Sequence, residues 1–189
     1  MKLFRLSILL GGAGLLAAGL GGCLSAPEFS TTPEISFDNI TLQRLAPKVS
    51  GGIPRDSIRI TVRYQDGDGD LGLSAAELTL PQYKFPGKFS KNFFIEPFVK
   101  NPGSKVYVST VSLGTTTAAA YDGTFGHLTS LTDSKSAPIK GTITYAPIAF
   151  NLGTPFVPGQ KVKFQVSIAD RALHVSNTIM TDSVVIGPR

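Results

Sequence analysis

Carboxylates alternate with glycines in one short stretch of this chain. Residues 66–72 read DGDGDLG, which places Asp66, Asp68 and Asp70 two residues apart. At a separation of ~6 Å and an effective dielectric constant of ~20, each pair of carboxylates repels by roughly 2–3 kcal/mol. A hard cation offsets such repulsion, and calcium accepts a flexible number of oxygen ligands. The stretch is therefore a candidate calcium site.

A calcium loop of the EF-hand type matches this stretch only in part. Glu77 stands where such a loop places its bidentate acid. Leu71 occupies the position that requires glycine, and Gly72 comes one residue late. No flanking helices are predicted either. An EF-hand is excluded, and a looser calcium turn between two strands stays open.

A fourth acid, Asp170, lies far along the chain but is expected at the same place. In an immunoglobulin-like sandwich, the loop after the second strand and the loop after the penultimate strand lie at one end. In this chain those loops contain residues 66–72 and Asp170. The predicted calcium ligands are Asp66, Asp68, Asp70 and Asp170.

A metal-free turn is the alternative to a calcium site. Asp-Gly pairs are favoured in hairpin turns because they tolerate positive φ and form local hydrogen bonds. Arg171, Arg59 or Arg63 could neutralise the acids in place of a metal ion. The sequence leaves both interpretations open.

Catalysis is not expected from this sequence. His127 and His174 are the two histidines, and both fall in predicted loops. No serine lies in a G-x-S-x-G turn, and no H-E-x-x-H zinc motif is present. Asp66 and Asp170 could act as acid and base, but an enzyme would require a histidine to converge with them in one cleft. We therefore predict that the protein is not an enzyme.

The first residues form a pattern typical of an exported protein. Lys2 and Arg5 are followed by residues 6–20, which are apolar apart from glycines and one serine. This pattern is a signal peptide, and it is too short and glycine-rich for a membrane-spanning helix. It ends at Leu20, Gly21, Gly22 and Cys23, which resemble a bacterial lipobox. In such a box the cysteine is lipidated and becomes the mature N-terminus.

The lipobox divides the chain into a signal peptide (1–22), a lipidated cysteine with a flexible tether (23–33) and one β domain (34–189). Cys23 is the single cysteine, so no intrachain disulfide can form. A covalent lipid on Cys23 makes the membrane a predicted partner. We expect an outer-membrane lipoprotein, with its periplasmic or surface face left open.

The charge balance excludes one class of partner. Removing Lys2 and Arg5 with the signal leaves 16 basic residues against 13 acidic ones, a net charge of +3. The basic residues are spread along the chain without an Arg-rich or Lys-rich run. Nucleic acid is therefore not an expected partner.

Two stretches alternate strictly between apolar and polar residues, as a half-buried strand does. They span residues 58–65 and 161–168. Weaker strand patterns cover residues 35–42 (with a break at Asp38 and Asn39), 93–99, 105–111, 139–145 and 177–186, with loops over 114–136 and 147–159. No helical periodicity follows the signal peptide. The sequence predicts an all-β, antiparallel β-sandwich of the immunoglobulin-like type.

Phenylalanines and lysines are interleaved between residues 84 and 100. Such aromatic residues commonly fill the core of a sandwich, with the lysines on its solvated face. A surface that binds ligand or dips into a membrane is the alternative. The absence of tryptophan weighs against a sugar-binding platform.

Beyond the lipobox, the chain resembles a group of uncharacterised lipoproteins from Bacteroidota-type bacteria. The shared motifs are DGDGDLG at 66–72, GTITY at 141–145, and DRA at 170–172 with SNT at 176–178. The resemblance implies an envelope lipoprotein with an immunoglobulin-like β domain. The group has no assigned activity to carry over.

Two functions are compatible with these observations. The first is a non-enzymatic lipoprotein whose β domain serves structure or interaction with an envelope protein or glycan. The second is a ligand- or glycan-binding accessory of a nutrient-uptake system. Aromatic side chains exposed at the acidic end would favour the second function, and buried aromatic side chains would favour the first.

Overall fold

The computed structural model describes residues 28–52, 54–128, 136–151 and 155–187, with the side chains of 146–151 left out. The signal peptide, the lipobox and Cys23 lie outside the described residues. Within them, the strands are β1 (Glu34–Leu45), β2 (Arg55–Asp66), β3 (Phe93–Lys100), β4 (Val108–Ser109), β5 (Ile139–Asn151), β6 (Lys161–Ile168), β7 (Ile179–Met180) and β8 (Val184–Val185).

Three long strands form the first sheet in the order β1-β2-β5, all antiparallel. The register between β1 and β2 shifts between Phe37 and Asn39. The break that the sequence predicts near Asp38 is therefore a bulge inside one continuous strand, because an extra residue on one strand disturbs the ladder only locally.

Strand β5 is longer than the sequence predicts. The expected strand ends at Tyr145, but β5 continues through Pro147 to Asn151. The register against β2 shifts where Tyr145 pairs with Ile60 and Ile148 pairs with Ile58. Proline is tolerated at a bulge or on an edge strand, and β5 is at the edge of its sheet. The predicted connection over 147–159 was therefore wrong in its first residues.

The second sheet has the order β4-β3-β6-β7, and β8 also pairs with β6. The hairpin predicted after Lys100 is present, although β4 has only two residues. The single final strand predicted over 177–186 is instead two short strands. Thr181 separates them, because its hydroxyl accepts a hydrogen bond from the Phe164 amide at 2.9 Å and so interrupts the regular ladder.

The two sheets share one hydrophobic core, as a β-sandwich requires. Val162, Phe164, Val166 and Ile168 of β6 are fully buried, and so are Ile58, Ile60 and Val62 of β2. The cluster extends from Ile35 to Ile186. Phe93 stacks on Tyr145 with ring centroids 4.8 Å apart and thereby joins β3 to β5. The prediction of an all-β, antiparallel sandwich is confirmed, and the immunoglobulin-like connectivity stays a prediction.

Three short 3-10 turns connect β2 to β3, at Glu77–Thr79, Pro81–Tyr83 and Lys88–Ser90. The phenylalanines of this region divide into two groups. Phe93 belongs to the core, whereas the side chain of Phe85 is 79% exposed. Among the described residues, no helix is long and apolar enough to cross a bilayer.

Candidate functional site

The two acidic loops meet at one end of the sandwich. Strand β2 ends at Asp66, and Asp170 follows β6 by two residues. An antiparallel bridge joins Leu71 to Asp170, and the Arg171 amide donates to the carbonyl oxygen of Asp70 at 3.3 Å. Leu71 is fully buried and anchors this junction in the core. The predicted meeting of the two loops is thus present.

Three carboxylates converge at this junction. Asp66, Asp70 and Asp170 each offer one oxygen, and these oxygens all lie within 4.8 Å of one another. Asp66 is completely buried, and Asp170 is 2% exposed. Asp68 falls outside this group of three, but its negative charge still raises the pKa of Asp66 and Asp70. Asp66 and Asp170 are thus shielded from water, whereas Asp68 and Asp70 are partly exposed.

The hydrogen bonds at the site leave several carboxylate oxygens without a partner. The Asp70 amide donates to Asp66 Oδ2 at 3.1 Å, and the Ala172 amide donates to Asp70 Oδ2 at 3.1 Å. Oδ1 of Asp66, Asp68 and Asp70 is buried in each case and has no hydrogen-bond partner among the residues that the structure describes. Buried polar atoms in folded proteins are almost always satisfied, so three unsatisfied acceptors in one place need an explanation.

The pKa values of these aspartates also indicate that their ionised forms are destabilised. Burial raises the pKa of Asp66 to about 7, and the charges of Asp68, Asp70 and Asp170 add to the effect. Burial also raises the pKa of Asp70 to about 6, followed by repulsion from Asp170 and Asp68. Burial raises the pKa of Asp170 as well, against the hydrogen bonds it accepts from His174. The ionised form of the cluster therefore lacks positive charge.

Two glycines give the acidic loop its path. Gly69 has a φ of +71°, and a Cβ at this position would lie 2.4 Å from the carbonyl oxygen of Ala137. Gly67 donates its amide to the carbonyl oxygen of Ser30 at 2.8 Å, and a Cβ there would meet Phe29 and Ser30. The glycines between the acids thus allow the loop to approach both the incoming chain and the segment before β5.

Two of the three arginines that could replace a metal ion have other partners. Arg63 forms an ion pair with Asp38 on the outer face of the first sheet. Arg171 lies 2.9 Å from His127 Nε2 and 3.8 Å from Glu77 Oε1. Arg171 still lowers the pKa of Asp70 through its charge. Its guanidinium group makes no ion pair with the three acids within the described residues.

Glu77 belongs to a separate polar cluster and not to the acidic site. Its carboxylate accepts hydrogen bonds from the amide and hydroxyl of Ser74, each at 2.7 Å, and lies 2.6 Å from His127 Nε2. Burial opposes ionisation of Glu77, but these hydrogen bonds prevail and lower its pKa to about 2. Glu77 therefore does not take the place of the bidentate acid of a twelve-residue calcium loop, because Ser74 and His127 already occupy its carboxylate.

His174 is the neighbour that sequence reasoning missed. Its Nδ1 lies 2.9 Å from Asp170 Oδ2, and its amide donates to Asp170 Oδ1 at 2.7 Å. The hydrogen bond that His174 makes to Asp170, and then the charge of Asp170, raise the pKa of His174. The signal in the sequence was the spacing of four residues between acid and histidine, within a loop that must turn back on itself.

The histidine also bears on catalysis, because Asp66, Asp170 and a histidine do converge. The arrangement differs from a working acid–base site in one respect. The carboxylate of Asp170 is entirely buried, as is Asp66, whereas the His174 side chain is 45% exposed. A molecule in solution would therefore meet the imidazole before either of these two carboxylates.

Comparisons with protein-family models, with curated protein sequences and with solved structures find no match for this chain. The site must therefore be interpreted from its own geometry. That geometry is a partly buried cluster of acids in which the described residues supply several oxygen ligands and little compensating charge.

Proposed function

We propose that the acidic end of the domain binds one calcium ion, which holds the β2–β3 loop against the loop after β6. The observation that supports this proposal is the set of three buried, unpartnered Oδ1 atoms on Asp66, Asp68 and Asp70. A cation bound between Asp66, Asp70 and Asp170 would offset the repulsion among the acids and could satisfy the unpartnered oxygens that face it. Asp170 would provide a ligand from the second loop.

The donor set favours calcium over other common metal ions. All the available ligands are carboxylate oxygens, which are the hard donors that calcium and magnesium prefer. Magnesium keeps several water ligands and demands a regular octahedron, which suits a site with one or two carboxylates better than this cluster of acids. Zinc prefers cysteine and histidine, and the nearby imidazole nitrogen of His174 already interacts with Asp170.

Calorimetric unfolding of the mature protein, with calcium and with a chelator, tests the site. At a calcium concentration of about 100 times the Kd, binding to the folded state alone adds about 2.7 kcal/mol to the free energy of unfolding. For a chain of this size, such a gain raises the Tm by roughly 5–10 °C. Asp66→Asn should remove the rise while leaving the chelated protein at least as stable as the wild type, since it relieves repulsion.

Asp182→Asn is the matched control for this experiment. Asp182 is an exposed acid after β7, and its substitution should preserve the full response to calcium. Coincident unfolding curves at millimolar calcium would contradict the proposal. In that case the loop is a metal-free turn, and its unpartnered oxygens are protonated or hydrated.

We propose further that this domain is a non-enzymatic lipoprotein of the cell envelope, lipidated at Cys23. The signal peptide and lipobox support export and acylation. The β-sandwich supports a role in structure or interaction, with the calcium site stabilising the end at which the tether enters. Mass spectrometry of the purified protein tests the anchor, because Cys23→Ser should abolish the added lipid mass and leave the signal uncleaved.

A cavity on the second sheet favours ligand binding as a second candidate function. It has a volume of about 260 Å³ and lies on the outer face of β3 and β6, beside residues 117–119. Its polar lining includes Glu96, Asp122, Gln165 and Ser167. These groups could bind the hydroxyls of a small sugar. Soluble oligosaccharides should then raise the Tm, and Gln165→Ala should reduce that rise.

A further inference from the structure

An apolar side chain is strongly exposed in the connection between β2 and β3, at residues 80–88. Phe85 is 79% exposed, the largest value among the large apolar residues that the structure describes, and Leu80 is 42% exposed. We name residues 80–88 the Phe85 loop. An exposed phenylalanine at the tip of a loop costs free energy in water, so it commonly marks a contact surface.

The base of the Phe85 loop is fixed to the acidic end of the sandwich. Tyr83 is 4% exposed, and its hydroxyl donates to the carbonyl oxygen of Arg171 at 2.5 Å. The exposed residues Lys84, Phe85 and Pro86 follow directly. The buried tyrosine therefore holds the loop in place, while the residues after it project away from the core.

The chain from the lipid anchor enters at the same end. The carbonyl oxygen of Ser30 accepts a hydrogen bond from Gly67, within the acidic loop that also contacts Arg171. Six residue steps separate Cys23 from Phe29, so an extended chain spans at most about 20 Å between them. With a lipid on Cys23, this end of the domain must stay close to the bilayer surface.

The charge of the loop complements an anionic membrane. From Leu78 to Ile95 the chain contains Lys84, Lys88 and Lys91 but no acidic residue. Lys88 Nζ also lies 5.2 Å from the ring centroid of Phe89, which places this ammonium beside an aromatic surface. Lysines around an apolar tip are typical of segments that bind the interface of a bilayer with anionic lipids.

We propose that the Phe85 loop is a second membrane contact, in which Phe85 and Leu80 enter the interface and Lys84 and Lys88 bind lipid phosphates. This inference rests on the proposed lipidation of Cys23, because the short tether is what places the loop near the bilayer. The contact would orient the domain, with the first sheet's β1–β2 turn pointing away from the membrane.

The absence of tryptophan from the chain permits a clean test. Phe85→Trp gives a protein with one tryptophan, in its mature lipidated form, for reconstitution into vesicles of phosphatidylcholine with and without phosphatidylglycerol. Its emission should shift to the blue and be quenched by brominated phospholipids. The quenching should exceed that of a control variant, Val49→Trp, by about twofold or more, and phosphatidylglycerol should increase the quenching of Phe85→Trp.

Val49→Trp is the matched control. Val49 is 69% exposed and lies in the turn between β1 and β2. The twelve residues of β2 separate that turn from the acidic end by about 40 Å. Its tryptophan should keep the emission of an aqueous environment. Lys84→Glu with Lys88→Glu, added to Phe85→Trp, should reduce the quenching in vesicles that contain phosphatidylglycerol.

Each other outcome would overturn the proposal. Equal quenching at both positions means that the domain has no preferred orientation, and no quenching at either means that the loop stays in water. A blue shift that depends on protein concentration but not on lipid indicates contact between copies of the chain. Mass spectrometry of the same samples reports acylation separately, so a missing anchor is distinguishable from a loop that avoids the bilayer.

Discussion

Strand β2 has one aspartate near each of its ends. The two side chains are equally buried but differ in the number of partners that surround them. Asp56 and Asp66 are both completely buried. Asp56 Oδ1 lies 3.0 Å from Arg44 Nε, and Asp56 Oδ2 accepts the Gly187 amide at 2.9 Å. Asp66 has one hydrogen bond, from Asp70, and its Oδ1 has none.

The comparison shows that burial of an acid does not by itself indicate a metal site. Asp56 is a structural carboxylate, because an arginine and a backbone amide satisfy it. Asp66 has other acids as its nearest charged neighbours. What separates the two is the number of partners that the fold supplies, and this difference is what a cation would correct.

The largest expected effect comes from removing the ion pair between Arg44 and Asp56. Arg44→Ala leaves the buried carboxylate of Asp56 without its charge partner, and because the Arg44 side chain is 41% exposed we expect a loss of about 3 kcal/mol, the lower end for a buried pair. We expect a fall of that size in the free energy of unfolding in urea, with and without calcium alike. Arg59→Ala, an exposed arginine on β2, is the control and should change stability by less than about 0.5 kcal/mol. A similar small change for Arg44→Ala would show that Asp56 does not depend on the pair.

The next effect is a dependence of stability on pH that arises from Asp66 and Asp70. Because the pKa of Asp66 is raised to about 7 and that of Asp70 to about 6, the folded state binds more protons than the unfolded state above the usual carboxyl range. Stability therefore falls as the pH rises through that window, by on the order of 3 kcal/mol between about pH 5 and pH 7.5 in a chelator. Denaturant titrations at the two pH values measure it.

Calcium should flatten this pH dependence, because the ion replaces the protons as the positive charge at the site. Asp66→Asn should flatten it without calcium, since the amide does not titrate. A chelated wild-type protein that is equally stable at both pH values would refute the raised pKa values and leave the unpartnered oxygens to bound water.

The smallest expected difference is the one between two glycines, one at each end of the first sheet. Gly51 and Gly69 have similar positive φ values of +74° and +71°. A Cβ at Gly51 meets nothing within 4 Å, whereas a Cβ at Gly69 meets the carbonyl oxygen of Ala137. Gly51→Ala should cost about 1–2 kcal/mol through backbone strain alone.

Gly69→Ala should cost about 1–3 kcal/mol more, because the loop must also move. Since Gly69 lies between two candidate ligands, this variant should also weaken calcium binding, and Gly51→Ala should not. Isothermal titration with calcium separates the two effects. Equal costs at the two positions would show that the acidic loop is free to shift.

Much of the fold was predictable because the alternation of apolar and polar residues along a strand is a local signal. The strands around Ile60 and Phe164 were predicted from alternation alone, and both have their apolar residues in the core. The bulge near Asp38 was predicted as a break. The course of β5 past Pro147 was not predictable, because only its place at the edge of the sheet makes a proline acceptable there.

The candidate site was predictable in its residues but not in its contacts. Glycine-spaced acids in a loop after a strand suggested a cation, and the sandwich topology suggested Asp170. The partners of the nearby charges could not be predicted. Arg171 lies with Glu77 and His127, and His174 lies with Asp170, through contacts between segments distant in sequence or through the sharp turn of one loop.

The sequence by itself determined the all-β class of the domain and the acidic loop that follows its second strand, and it predicts an exported chain with a lipobox. These features depend on composition, spacing and alternation, which act over a few residues. Tertiary structure decided which acids have a partner. Arg44 reaches Asp56, and no described arginine pairs with Asp66, Asp70 or Asp170. That outcome depends on where distant strands and loops bring their side chains, because an electrostatic interaction in a buried site is decided by distance in space and not along the chain.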